Sequence, residues 1–313
     1  MRRIGPSANL LGQRLESLYR LYGPETVATD PIVFPGSYAA EEDREVAGWI
    51  ASAFAYGQVP TIQASVARIL DALGPRPAAG LAAIADFREF ARDALAGFRH
   101  RFHGARDAAA LLYAIARVRD RAGSVRAFFE SELRDGDADV GGLLSRTVAR
   151  LLAFDYRPVL GRRTLSQRSP VRFFFPDPAA GSACKRWNLY LRWMVRRDAV
   201  DFGLWPGIPT DRLVVPTDTH VHRIARRLGL TRRRTADWKA AREITRSLSR
   251  FDPTDPVRFD YALCRIGILD ICRPAPSQSL CEDCPVQDAC SIGRRRAPRN
   301  GEGAKGAVAR LAS

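Results

Sequence analysis

Four of the six cysteines in this 313-residue chain, Cys272, Cys281, Cys284 and Cys290, form a C-x8-C-x2-C-x5-C pattern. Thiolates that close repel one another and cost folding energy unless a cation accepts them, so the pattern predicts a metal centre. Disulfides explain it less well, because Met1 to Leu11 has basic residues but neither a sustained apolar core nor a small-residue cleavage pattern. Zinc sites usually pair two short hooks across a spacer. Here one short hook is flanked by longer arms, which favours a [4Fe-4S] cluster, with zinc as the alternative. Cys264 and Cys184 lie outside the set and are expected to pack.

Lysine is scarce: of 49 Lys plus Arg, only Lys185, Lys239 and Lys305 are lysines. Where charge alone is wanted Arg serves as well, so a retained Lys points to a position that needs a titratable amine. Lys185 closes the run Ala179-Ala180-Gly181-Ser182-Ala183-Cys184-Lys185. These small residues predict a tight turn at a helix start, where backbone N–H groups of Gly181, Ser182 and Ala183 can hold a phosphate. Further on, Pro216-Thr217-Asp218-Thr219-His220-Val221 opens the best-defined helix of the chain, with Asp218 as its N-cap. From that helix alone Asp218 reads as a structural cap. His220 and His222 lack further ligands at metal spacing and read as supporting or packing residues.

Taken in order, the small-residue turn, Lys185, Asp218-Thr219-His220-Val221 and the closing C-x2-C-x5-C resemble the endonuclease III branch of the helix-hairpin-helix DNA glycosylases, from about Glu41 to Cys290. The wording of Gly181-Ser182-Ala183-Cys184-Lys185-Arg186 and of Arg192-Trp193-Met194-Val195-Arg196 looks closest to a bacterial branch described only as a conserved hypothetical family. The resemblance implies that Lys185 is a Schiff-base nucleophile and Asp218 the essential acid. It also implies that Gln58, ending Ser52-Ala53-Phe54-Ala55-Tyr56-Gly57-Gln58, fills the gap left by a flipped base. Gly181, Ser182, Ala183, Arg186 and His220 are expected to contact DNA. A free lysine, with a pKa near ~10.4, is mostly protonated, so Lys185 needs positive potential nearby; a helix N-terminus and Arg186 are in prospect.

Three departures from the endonuclease III pattern carry their own expectations. The turn has one glycine, Gly181, where two are usual. The first cysteine arm is two residues longer and carries only Arg273, so basic contacts shift to Arg294, Arg295, Arg296 and Arg299. Lys185 and Asp218 stand 33 positions apart, which implies an insertion around Asp198 to Leu213, comparable to one in an archaeal 8-oxoguanine glycosylase branch.

The elements that must position these residues read as helices, since alternating apolar and polar runs are nearly absent. Helices are expected over Asn9 to Tyr22, Glu41 to Ala55, Val59 to Leu73, Asp107 to Ala122, Ser124 to Leu133, Gly141 to Phe154, Lys185 to Arg196, Thr217 to Leu228, Ala236 to Ser249 and Arg258 to Ile271. Asp155 to Gly181 reads as a loop holding Phe173-Phe174-Phe175, which are expected in the core with Trp187 and Trp193. The uncharged run Val46 to Ala67 is long enough to span a bilayer, but Gln58, Pro60 and Gln63 argue for a buried helix followed by a turn.

A formal charge of +15 favours a polyanionic partner. The fold expected is all-α with two domains. A helical barrel covers 40–212, with the hairpin at 179–185. An iron–sulfur cluster domain is made of 1–39 and 213–293, and 294–313 is a basic, disordered tail. Double-stranded DNA with a damaged base or abasic site is the expected partner, and a cytoplasmic, nucleoid-associated monomer without membrane contact the expected state. The alternative is a non-catalytic iron–sulfur protein that binds DNA or RNA.

Overall fold

A computed structural model describes residues 6–268, 271–275, 278–282 and 284–296. Among the described residues the fold is predominantly helical, with one small β-hairpin, and the chain divides into two compact units. One is Thr26–Arg212; the other joins Met1–Glu25 to Leu213–Ser313. Residues 26–39 therefore belong with the central unit rather than with the cysteines. No helix among the described residues is long and apolar enough to cross a membrane. The run Val46 to Ala67 is broken at Gly57 between two helices.

In the chain order of its longer helices, the Met1–Glu25 and Leu213–Ser313 unit begins with α1 (Pro6–Leu21). Its Leu11, Leu15, Leu18 and the following Tyr22 are buried at helical spacing. The central unit then supplies α2 (Glu41–Ala53), α3 (Val59–Leu73), α4 (Ala105–Ala122), α5 (Gly141–Leu152) and α6 (Lys185–Val195). Three acids, Glu41, Glu42 and Asp43, complement the dipole in the first turn of α2. From Val46 to Ala53 that helix is fully buried. Its Trp49 meets Trp187 of α6 at 5.4 Å and Phe129 at 5.5 Å between ring centroids. Trp205 lies 5.2 Å from Phe129 and donates its indole N–H to Glu45 at 2.9 Å. That carboxylate also accepts the backbone N–H groups of Val125 and Arg126, both at 3.1 Å.

The segment after α6 is held down rather than looped out. Arg192 Nε donates to Asp201 at 3.2 Å, Arg196 reaches both Asp201 and Asp198, and Trp205 N donates to Met194 O at 2.9 Å. The expected insertion is thus stapled onto the C-terminal end of α6 by buried ion pairs. The stretch read as a loop, Asp155 to Gly181, contains three short helical turns: Arg157–Leu160, Pro170–Phe174 and Pro178–Ala180. Phe174 and Phe175 are buried as expected, whereas Phe173 is 39% exposed. A two-residue turn, Arg101–Phe102, joins the antiparallel strands β1 (Arg99–His100) and β2 (His103–Gly104).

The remaining helices are α7 (Thr219–Arg227), α8 (Trp238–Leu248) and α9 (Asp260–Ile268). Asp218 and Asp237 cap α7 and α8 with their side chains. Arg258 links α9's approach to α1 through Glu16 at 3.0 Å. Of the expected basic tail, 297–313, with Arg299, lies outside the described residues; Arg294 and Arg295 are exposed on a short helix, Gly293–Arg296.

Candidate active site

The turn before α6 is built by its own side chains. Asp177 Oδ1 accepts Ala179 N at 2.8 Å and the Ser145 hydroxyl at 2.6 Å, and Gly181 N donates back to Pro178 O at 2.9 Å. Gly181 then turns the chain at φ 83°, a left-handed conformation with open space where a Cβ would be. Ser182 Oγ accepts Cys184 N at 3.2 Å, and Asn188 Nδ2 donates to Ala183 O at 3.1 Å. Cys184, also left-handed at φ 48°, is the N-cap residue of α6, so Lys185 is the first residue of that helix and is half-buried. Its backbone therefore sits at the positive end of the helix dipole.

Beneath the turn, Arg186 is buried. Its guanidinium donates to the carbonyls of Phe173 and, at 3.4 Å, Ala53, and lies 3.8 Å from the centroid of the Phe173 ring. Burial pulls its pKa down to about 10. Expected as a DNA contact, Arg186 acts from inside the unit, tying the first turn of α6 to the end of α2. Cys184 packs as expected: burial pushes its thiol up to about 12, and Sγ donates to Pro176 O at 3.4 Å. Gln58 is exposed at the start of α3, next to Gly57.

Asp218 Oδ1 accepts the backbone N–H of His220 at 2.9 Å and of Val221 at 2.8 Å, which fixes the half-buried carboxylate at the mouth of α7. Two residues on, His220 packs against α9 at Gly267, where a Cβ would stand 2.7 Å from His220 Cβ. Arg223 Nη2 reaches both His220 Nδ1, at 3.1 Å, and the Cys272 carbonyl, at 2.6 Å. Arg227 donates to Cys272 Sγ at 2.9 Å, to Arg273 O at 2.8 Å and to Pro274 O at 2.9 Å. The helix that presents Asp218 thus also grips the first cysteine arm. Arg14 of α1 grips the last arm through a bidentate pair with Asp288.

Among the described residues, no three His, Cys, Asp or Glu side chains are placed so that they could hold a metal ion. The four thiols nevertheless share one electrostatic neighbourhood. Burial, followed by the charges of Cys272, Cys290 and Cys281, pushes Cys284 up to about 12. By chemistry the donors are all thiols, the soft set that zinc or an iron–sulfur cluster takes, and Arg227 donates to one of them. Cys264 is half-buried. Lys185 and Asp218 belong to different units, and each is placed within its own.

A family described as protein of unknown function (DUF2400) matches residues 30–269. The chain belongs to that family. The DUF2400 span contains Gln58, Lys185 and Asp218 and stops short of the four clustered cysteines. Endonuclease III of Thermotoga maritima is 32% identical over 110 residues, which cover 33% of this chain and 44% of that protein. The chain thus matches less than half the length of this relative. No solved structure matches it.

Several residues packed around these candidates in one unit or the other were not singled out from sequence. Arg223 and Arg227 stand three and seven positions after His220, one helical stripe that α7's cap would have revealed. His100 and His103 also escaped notice, although they are two of only four histidines and flank one turn. His100 Nε2 donates to the Tyr56 carbonyl at 2.9 Å, and the Tyr56 hydroxyl donates to His103 Nδ1. His103 Nε2 donates to Pro170 O at 2.9 Å.

Proposed function

We propose that this chain is a DNA base-excision enzyme of the helix-hairpin-helix class, a glycosylase with AP-lyase activity that acts through Lys185 and Asp218. The observation that carries the reading is the position of Lys185, first residue of α6 behind a turn locked by Asp177, Gly181 and Ser182. The identity with endonuclease III and the net charge of +15 support DNA as the partner.

Asp218 Oδ1 accepts two backbone N–H groups, which orients the carboxylate. As the base departs with the electrons of its N-glycosidic bond, Asp218 stabilises the positive charge left on the sugar. Loss of a proton from the Lys185 ammonium to solvent frees the nitrogen lone pair to attack C1′. The ring oxygen leaves as a hydroxyl and C1′ becomes an iminium. Loss of a C2′ proton then expels the 3′ phosphate, and water releases the lysine by hydrolysis.

The cysteine set supplies the other half of the proposal. Cys272, Cys281, Cys284 and Cys290 would hold a [4Fe-4S] cluster, with zinc as the alternative, and such a centre would fix the loop that α7 and α1 grip.

A panel of duplexes, each with one defined lesion, tests the reading by base release. The expected result is release from at least one lesion by the wild type and a loss of at least about 100-fold in Asp218→Asn. Because Asn caps a helix as well as Asp, that variant removes charge without removing the cap. DNA binding with no release anywhere on the panel would make the chain a non-catalytic binder.

A further inference from the structure

Among the described residues the exposed large apolar side chains are Phe102, at 51%, Phe173, at 39%, and Ile268. The first two touch each other. Their ring centroids lie 5.0 Å apart with planes at 82°, so two rings from separate segments of the central unit meet as a corner. The corner is braced from behind. Tyr56 abuts Phe173 at 4.9 Å, His103 lies 4.4 Å behind Phe102 and stacks on the buried Phe174 at 4.2 Å, and Arg186 lies under Phe173.

Folding does not account for the exposure. The rings that bury themselves here are Phe174 and Phe54, while Phe102 sits at the tip of a two-residue turn. Arg101 holds that turn open at φ 54°, a conformation that strains a residue with a Cβ. The Arg101 side chain lies along the Gly57–Gln58 turn, its Cδ 3.3 Å from where a Gly57 Cβ would be. Arg101, beside Phe102 in the turn, is exposed, as are Arg99 and Arg106 close by in the chain. An apolar, π-faced corner with Arg101 next to one ring and Arg186 against the other complements a polyanion with exposed bases.

We infer that the Phe102–Phe173 corner is a stacking surface for an unpaired nucleobase, which makes the chain prefer DNA with an unpaired base over fully paired duplex before any bond is cleaved. The inference rests on the DNA partner of the proposed function but not on its chemistry. Stacking is tolerant of base identity, since every base has a π-face, so the preference is for unpairing rather than for a sequence.

Fluorescence anisotropy with a labelled duplex carrying a one-nucleotide bulge, and with its fully paired counterpart, reads the preference. Wild type should bind the bulged duplex about tenfold or more tightly. Phe102→Ala/Phe173→Ala should lose that ratio while keeping its paired-duplex affinity and salt slope, and Phe173→Trp should retain it. Arg101→Ala should weaken both duplexes alike and lower the salt slope by about one. A double alanine variant that melts like wild type and keeps the ratio overturns the inference alone. Wild type that binds neither duplex removes the DNA reading and the corner together. Corner variants that keep the bulged-duplex preference but lose binding to phosphatidylserine vesicles would overturn the inference alone and assign the corner to a membrane surface.

Discussion

At the scale of single residues, Asp218 combines its proposed catalytic role with the capping of α7, and substitutions can separate the two. Asp218→Ala should cost about 1 kcal/mol by removing the cap of α7, whereas Asp218→Asn should leave stability unchanged; urea unfolding of both checks this. Cys184, next to Lys185, is buried with its thiol near 12, so native protein at pH ~8 should leave it unmodified by iodoacetamide, and mass spectrometry of the quenched digest should find it labelled only after denaturation. Labelling in the native state would mean that the turn opens. Asp218 was legible in the sequence because a cap acts on its own next three residues. Arg186 was not, because its burial comes from Ala53 and Phe173, which no local pattern places over the first turn of α6.

The elements show the same division between local and distant causes. Helices α3, α6 and α7 follow from caps, glycines and apolar spacing that lie within them. The β1–β2 hairpin could not be read: two residues per strand give no periodicity, and its turn uses Arg101 where a glycine would have signalled it. Its histidines make a test. Burial lowers the pKa of both His100 and His103 below the ordinary 6.5. Neutral in the fold, they contribute stability that is complete above about 6.5 and is lost as pH falls through their lowered values. The melting temperature should therefore drop between pH ~7.5 and ~5, and His103→Gln should flatten that dependence. On α9, Gly267→Ala should cost roughly 1–3 kcal/mol, since the new methyl meets His220 of α7; a melt as stable as wild type would show that α7 and α9 can separate freely.

The whole molecule has two units of different make: an aromatic-cored helical body that holds Lys185, and a cysteine-bearing unit that holds Asp218. Anaerobically purified protein should show broad visible absorption from thiolate-to-iron charge transfer, and Arg227→Gln should weaken retention of the chromophore by removing a donor to Cys272. A colourless protein containing stoichiometric zinc would replace iron with zinc in that reading. The division of labour itself turns on whether the Lys185 amine reaches the sugar. Borohydride trapping on abasic-site DNA measures this directly: wild type should form a covalent adduct that survives denaturation, and Lys185→Gln should form none. An adduct of undiminished yield in Lys185→Gln would contradict the account, because the nucleophile would then be another group.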